Sequence, residues 1–234
     1  MEETILSRET KLKLLDYFSE YLTDRRKELF KNVIQYRTRH IAVVLEDIFQ
    51  PHNASAILRS CDLTGIQDIH IIENRNEYDV NPDVAMGSSK WLNLYKYNEL
   101  KNNTLDAYEK LRKQGYRIVA TTPHTDDQTL DSIPLDGKIA LVFGTELTGL
   151  SGIAIDNADE YLRIPMYGFT ESYNISVSAA LSLFTLTERL RKSDIEWQLT
   201  QEEKEDILLE WSRRSVKLPE ALEREFMNRI KQNN

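Results

Sequence analysis

A run of apolar residues passes directly into a glycine-rich loop in residues 138–152, KIALVFGTELTGLSG. The run at 138–144 is apolar, β-branched and nearly continuous, which predicts a central parallel strand covered on both faces. The loop has the glycine spacing of a phosphate-binding P-loop, but Leu150 replaces the required lysine and Glu146 adds a negative charge. The stretch therefore predicts a strand, a tight loop and a helix whose ligand is not a nucleoside triphosphate.

The same alternation of strands and helices extends on both sides of this stretch. Short apolar, β-branched runs predict four further strands, at 41–48, 66–73, 116–122 and 160–166. Helical patterns lie between and after them, at 53–63, 100–114, 151–158 and 175–192. This order predicts an α/β fold with an open, mostly parallel sheet and helices on both faces. Ligand sites in such folds lie at the carboxyl ends of the strands.

The two ends of the chain have a different, purely helical pattern. Residues 1–40 and 193–234 are charged, with apolar residues at helical intervals, and they predict short helical extensions around a central domain at 41–192. Thr200 and Glu203 form the pattern of a capping box at the start of a helix in the second extension. Extensions this short are expected to pack on the central domain or on a partner subunit rather than to fold alone.

Composition limits the classes of protein to which the chain can belong. The formal net charge is −8, and residues 41–185 alone hold 11 basic and 20 acidic residues. Basic clusters lie mainly outside this acidic core, at 24–27, 37–40, 188–192 and 212–217. Cys61 is the single cysteine, which excludes an internal disulfide and a cysteine zinc site and fits a reducing cytoplasm. The sequence has neither a long apolar window nor the layout of a signal peptide, so it predicts a cytoplasmic protein with no membrane span.

Three polar loops follow three of the predicted strands, and each allows both a structural and a functional reading. Asn53 suits the N-cap of the helix that follows it, and Arg59 lies among apolar residues, where long charged side chains often reach out to solvent. Glu146 fits a solvent-exposed turn, and either Ser172 or Asn174 fits a simple helix cap. Taken singly, each loop favours its structural reading.

Taken together, the three loops resemble the motifs of a known family of RNA-modifying enzymes. The segments NASAILR (53–59), VFGTELTGLS (142–151) and IPMYGFTESYNISVSAA (164–180) resemble, in this order and spacing, the three motifs of the TrmH/SpoU branch of the SPOUT RNA 2′-O-methyltransferases. The likeness extends over residues 40–192. The segment PHNASAILRSCDLTG (51–65) is particularly similar to tRNA guanosine-2′-O-methyltransferases of the TrmH type.

The resemblance implies a fold, a cofactor and a set of site residues. It implies a deep trefoil knot in the C-terminal part of the sheet, a homodimer, and a knot that binds S-adenosyl-L-methionine without a metal. The residues that match the family's cofactor pocket are Thr121, Gly144, Ile164 and Tyr173. Those that match its catalytic motif positions are Arg59, Asn53, Glu146, Ser172 and Asn174. The basic residues of its RNA-contacting helix correspond to Arg189 and Arg191.

The activity implied by the resemblance is methylation of the ribose 2′-hydroxyl of guanosine 18 in the D loop of tRNA. This in-line displacement needs positioning of the reactants and removal of a proton. A guanidinium group stays protonated, so Arg59 is expected to bind the substrate phosphate and ribose oxygen rather than to act as a base. Tyr173 stands where the family more commonly has leucine, so the methionine side of the pocket is expected to differ in shape.

Other interpretations of the sequence stay open. The same chemistry could act on rRNA or on another position of tRNA, or the chain could be an RNA-binding member of the family without catalysis. The presence of the motif residues Asn53, Arg59 and Glu146 argues against a loss of catalysis. A nucleotide hydrolase is disfavoured, because the glycine loop lacks its lysine and no second Mg²⁺-binding motif accompanies it.

Overall fold

The computed structural model describes residues 6–78, 87–123 and 128–232. The strands in these ranges are β1 (Ile41–Glu46), β2 (Asp68–Ile72), β3 (Asn93–Tyr97), β4 (Arg117–Thr121), β5 (Gln128–Thr129), β6 (Ile139–Phe143) and β7 (Glu160–Arg163). They form one sheet in the spatial order β3-β2-β1-β6-β4-β7-β5, in which every neighbouring pair is parallel. The prediction of an α/β fold built on a parallel sheet is therefore confirmed.

The central strands explain why the sequence pattern is so clear in the middle of the chain. Every residue of β1 and β6 is buried, as a strand covered on both faces requires. The five predicted strands are all present, with ends that differ from the predicted ones by at most three residues. The sequence did not predict β3 and β5, which form the two edges of the sheet. β3 carries partly exposed polar residues and β5 is only two residues long, so neither has a continuous apolar run.

Helices flank the sheet and form both ends of the chain. The α-helices in the described ranges are α1 (Arg8–Ser19), α2 (Asp24–Val33), α3 (Pro51–Thr64), α4 (Asn103–Lys113), α5 (Gly152–Asp156), α6 (Ile175–Arg191), α7 (Gln201–Arg213) and α8 (Pro219–Gln232). Alternate residues of β1 contact opposite layers of these helices. Ile41, Val43 and Leu45 pack with α3 and α6, whereas Ala42 and Val44 pack with α4 and α5. Helices thus cover both faces of the sheet.

The start of α3 corrects one prediction. Asn53 was expected to be the N-cap, but Gln50 occupies that position and Pro51 is the first helical residue. Proline fits there because the first helical N–H has no partner within the helix and the proline ring already holds a helical φ angle. Asn53 consequently lies in the first turn with a side chain that is 6% exposed and directed into the protein. Because the helix begins about one turn earlier than expected, the amide group of Asn53 reaches the carboxylate of Glu146.

The chain divides into two compact units, one formed by residues 38–197 and the other by the segments before and after them. In the second unit, α1, α7 and α8 share an apolar core that includes Leu14, Phe18, Leu209 and Phe226. The capping box at the start of α7 is present as predicted. Within the described ranges, no helix combines the length and the apolar composition that a membrane span needs.

Candidate active site

A cavity of about 310 Å³ opens at the carboxyl ends of β4, β6 and β7. This is the edge at which parallel α/β sheets bind ligands, because the connecting loops leave a crevice there. Loops at 121–123, 144–150 and 164–173 form its wall, together with the first turn of α6. All four residues that the resemblance assigns to the cofactor line it, namely Thr121, Gly144, Ile164 and Tyr173.

The glycine loop of the cavity wall closes on itself. The backbone N–H of Thr145 donates to the carbonyl oxygen of Gly149 at 2.9 Å, and the N–H of Gly149 donates to the carbonyl oxygen of Thr145 at 3.1 Å. A Cβ atom on Gly144 would lie 2.3 Å from the carbonyl carbon and oxygen of Gly149, so only glycine fits there. Gly149 itself has a φ of 68°, in the left-handed region that favours glycine. The two glycines therefore serve backbone closure, and the tip residue Leu147 is fully exposed.

A buried carboxylate that the sequence did not single out supports this loop. Glu46, at the carboxyl end of β1, is 2% exposed. Its carboxylate accepts hydrogen bonds from the backbone N–H and the hydroxyl of Ser151, both at 2.8 Å, and from the hydroxyl of Thr104 at 2.7 Å. Ser151 is the N-cap of α5 and accepts from the N–H of Ala154, so its hydroxyl has a structural role. An acidic residue that ends a fully apolar strand is the sequence signal that could have indicated this role.

Three of the predicted catalytic residues form one chain of hydrogen bonds that joins the three sequence motifs. The side-chain amide of Asn174 donates to the side-chain oxygen of Asn53 at 3.2 Å. The amide of Asn53 donates in turn to the carboxylate of Glu146 and to the side-chain oxygen of Gln50. Asn174 also caps α6 by accepting a hydrogen bond from the N–H of Ser176 at 2.9 Å. The same side chain can therefore cap the helix and take part in the site. These hydrogen bonds fix the orientation of the Glu146 side chain at the wall of the cavity.

The other two predicted catalytic residues differ in position. Ser172 lines the cavity and is exposed. Arg59 is exposed on α3 and is not among the residues that line the cavity of its own chain. Neighbouring Ile57 and Leu58 are fully buried, so the guanidinium group lies on the outer face of the helix. The structure therefore joins Asn53, Glu146 and Asn174 by hydrogen bonds and places Glu146 and Ser172 in one cavity wall. Arg59 belongs to neither group.

The two arginines predicted to contact RNA are both engaged within the chain. The guanidinium group of Arg189 donates to the carbonyl oxygens of Leu130 and Ile133, the latter at 2.9 Å. That of Arg191 donates to the carbonyl oxygen of Thr64 at 2.7 Å and lies 5.8 Å from the ring centre of Trp197. These contacts occupy donors that a phosphate would need, and they favour a structural role for the two residues over the predicted contact with RNA.

The fold and the cavity define an α/β protein with a cavity of small-molecule size at the carboxyl ends of its parallel strands. In the part of the chain that the structure describes, no group of three or more His, Cys, Asp or Glu side chains is arranged to hold a metal ion. Residues 40–184 match the SpoU rRNA Methylase family, and the chain belongs to that family.

Similar proteins agree with this assignment. The chain is 44% identical over 206 residues to a tRNA (guanosine(18)-2′-O)-methyltransferase of Borreliella burgdorferi, which covers 88% of this chain and 93% of the relative. The crystal structure of the A. aeolicus TrmH/SpoU tRNA modifying enzyme superposes with a TM-score of 0.72 at 27% identity and covers 83% of this chain and 98% of that one. The SpoU methyltransferase AviRb of Streptomyces viridochromogenes, solved with the cofactor AdoMet, shares the fold, with a TM-score of 0.54 at 20% identity, over 69% of this chain and 62% of its own.

Proposed function

We propose that this protein methylates the ribose 2′-oxygen of guanosine 18 in tRNA, with S-adenosyl-L-methionine as the methyl donor. The observation that carries the proposal is the hydrogen-bonded chain of Asn174, Asn53 and Glu146, which joins the three family motifs at one cavity. The relative at 44% identity, which aligns with nearly the whole chain, bears the name of this activity.

The residues of the cavity fit the methyl donor. A volume of about 310 Å³ lies at the lower end of the range of small-molecule sites. The wall offers apolar side chains for an adenine ring and a methionine chain, among them Leu150, Leu162 and Ile164. The two glycines, Gly144 and Gly149, keep this part of the wall free of side chains. Bound there, the donor supplies an activated methyl group.

The polar chain beside the cavity is suited to positioning the ribose. The carboxylate of Glu146 accepts a hydrogen bond from Asn53, which holds it in one orientation without neutralising its charge. Ser172 adds a hydroxyl group on the same wall. We assign to these residues the orientation of the 2′-hydroxyl for in-line attack, because fixing two reactants in line supplies much of the rate gain in such transfers. The proton leaves to solvent or to a phosphate of the substrate.

Arg59 completes the site, in this proposal, from a second copy of the chain. Its guanidinium group is suited to stabilising negative charge that develops on the ribose oxygen. Arg59 shares a face of α3 with Leu63, which is 77% exposed, since the two are four residues apart. On α6, Val177, Leu181 and Phe184 are exposed at helical spacing. An exposed apolar face of this kind marks an association surface, and a homodimer would cover it and bring Arg59 near the other cavity.

Two further features of the family are part of the proposal. We infer that the loops around the cavity are tied in a trefoil knot, in support of which β6 lies between β1 and β4 and all three loops meet at one edge. We also infer that the terminal helical segments help to bind tRNA in the cytoplasm. They carry the basic clusters 24–27 and 212–217, whereas residues 41–185 hold 11 basic against 20 acidic residues.

Methylation of defined tRNA transcripts tests the proposal. The protein is incubated with S-adenosyl-L-methionine labelled in the methyl group and a full-length tRNA that carries guanosine at position 18. We expect one labelled ribose, at that guanosine, and no labelling of a matched transcript that has 2′-deoxyguanosine there. Label at another nucleotide would correct the position, and an unlabelled tRNA would contradict the proposed function.

A further inference from the structure

A second cavity, of about 350 Å³, shares the loop 145–149 with the first. Its remaining wall comes from the end of β1, the loop after it and the loop after β2. None of the predicted site residues except Glu146 lies in this wall. Glu46, Asp47 and Ser151, which line the second cavity but not the first, are engaged in hydrogen bonds within the chain. The other side chains that line only the second cavity are an aromatic ring, Phe49, an arginine, Arg75, and the amide groups of Gln50 and Asn76.

The wall of the second cavity is held in place by an unusual backbone conformation. Asp47 has a φ of 54°, in the left-handed region that side chains other than glycine rarely adopt. Its carboxylate accepts from the backbone N–H groups of Asn74 at 2.7 Å and Arg75 at 2.8 Å, and its carbonyl oxygen accepts from the amide of Asn76 at 2.8 Å. Strained backbone that neighbouring groups hold in this way is concentrated at functional sites. The loop that carries Arg75 is thus fixed at the rim of the cavity.

The exposed groups of this cavity are complementary to a guanine base. The ring of Phe49 is 68% exposed, and exposed aromatic rings stack on unpaired bases of RNA. Arg75 is exposed, and no hydrogen bond or ion pair joins its guanidinium group to another described residue. Arginine binds the O6 and N7 acceptors of guanine with two parallel hydrogen bonds. The carboxylate of Glu146 and the amide oxygen of Asn76 are acceptors for the N1–H and N2–H groups of the same base.

We propose that the second cavity binds the base of the nucleotide that is methylated and selects guanine through Phe49 and Arg75. The inference rests on the proposed function and deepens it. Because Glu146 lies in the walls of both cavities, a base in the second one would leave its ribose beside Glu146, facing the methyl donor in the first. Base selection and ribose orientation would then share one carboxylate.

The test uses tRNA transcripts with guanosine, inosine or adenosine at the modified position and measures single-turnover methylation rates. Phe49→Ala is expected to slow methylation of guanosine about 10- to 100-fold, the range for removal of a stacking ring, and Phe49→Trp to restore most of the rate. Arg75→Ala is expected to reduce the preference for guanosine and inosine over adenosine, since the latter lacks the O6 acceptor. The affinity of each variant for S-adenosylhomocysteine should equal that of the unaltered protein, which shows that the first cavity is intact.

Two control substitutions remove similar groups elsewhere on the α/β unit. Leu100→Ala removes an exposed apolar side chain and Lys101→Ala an exposed cation, and neither should change rate or base preference. Unchanged rates for Phe49→Ala would overturn the inference. So would an Arg75→Ala variant that slows all three transcripts equally, because a uniform loss means a phosphate contact. An unaltered protein that labels no tRNA would instead overturn the proposed function itself.

Discussion

The two ends of helix α6 use their polar side chains in different ways. At the N-terminal end, Asn174 caps the helix and donates to Asn53, whose amide donates to Glu146 beside an open cavity. At the C-terminal end, the guanidinium groups of Arg189 and Arg191 donate to main-chain carbonyl oxygens. The family resemblance assigns both ends to the functional surface. The N-terminal end faces a cavity, whereas the arginines of the C-terminal end are hydrogen-bonded within their own chain.

The comparison of the two ends shows how the partners of a polar side chain distinguish a ligand site from a structural contact. Main-chain carbonyls away from water need donors, and an arginine that supplies several of them stabilises the fold. At a ligand site, polar side chains instead hold one another in place and leave further donor or acceptor atoms open. Glu146, which is held by Asn53, meets the second description, and Arg189 meets the first.

The largest effect is expected at the N-terminal end. Glu146→Gln keeps the shape of the side chain but removes its charge, and we expect methyl transfer to tRNA to fall about 100-fold. Thermal unfolding should hardly change, because the loop is at the surface. Glu99→Gln, which alters an exposed carboxylate elsewhere, is the control and should be silent. A Glu146→Gln enzyme of unaltered rate would remove this carboxylate from the site.

The second effect is a loss of stability at the C-terminal end of α6. Arg189→Ala leaves the carbonyls of Leu130 and Ile133 without their donor, and we expect a loss of about 2 kcal/mol in the free energy of unfolding. The affinity for tRNA and its dependence on salt should not change. Lys192→Ala, with a side chain that is 77% exposed on the same helix end, should alter neither quantity. Weaker tRNA binding with a smaller salt dependence in Arg189→Ala would instead assign Arg189 to the RNA interface.

The third effect concerns the wall of the first cavity, where the methyl donor is proposed to bind. Tyr173→Ala removes a large part of that wall, and we expect the affinity for S-adenosylhomocysteine to fall about tenfold. Tyr173→Leu introduces the residue that is commoner in the family and should retain the affinity. Calorimetric titration measures both. If Tyr173→Ala binds as tightly as the unaltered protein, the side chain does not contact the ligand.

The smallest effect is expected at Arg191. Lysine there keeps the charge but loses the planar group that lies near the ring of Trp197 and donates to Thr64. We expect Arg191→Lys to lower the free energy of unfolding by about 1 kcal/mol. Chemical denaturation measures this loss, and methyl transfer per folded molecule should stay constant. A variant of full stability but lower affinity for tRNA would place Arg191 with the functional residues.

Much of the fold could be predicted because burial leaves a clear pattern. The continuous apolar runs of β1 and β6 reflect strands covered on both faces. The edge strands β3 and β5 lack that pattern, because a strand with exposed residues needs no apolar run. Asn53 was wrongly placed as an N-cap, because asparagine is a good cap residue and the proline that starts the helix lies two positions earlier.

The site could be predicted only where several residues act as a motif. The glycine loop and the residues around Asn53 and Asn174 have characteristic spacings, and the structure brings them together. Glu46 ends an apolar strand, which indicates that its carboxylate is buried. Its partners Ser151 and Thr104 lie far away in sequence, so the local pattern does not show which groups it binds. The contacts of Arg189 involve carbonyl groups, which every residue has, and only the folded chain determines which of them it meets.

An isolated heterodimer shows whether Arg59 of one copy acts with Glu146 of the other. One chain carries Arg59→Ala and the other Glu146→Gln, each with its own purification tag. If the two residues act together across the dimer, one of the two sites is intact, and the heterodimer methylates tRNA at about half the rate of the unaltered dimer, although both sites of each parent homodimer are impaired. The reciprocal heterodimer, an unaltered chain paired with the double variant, should be inactive. An inactive first heterodimer and a half-active reciprocal one would contradict action across the dimer and place Arg59 in the cavity of its own chain.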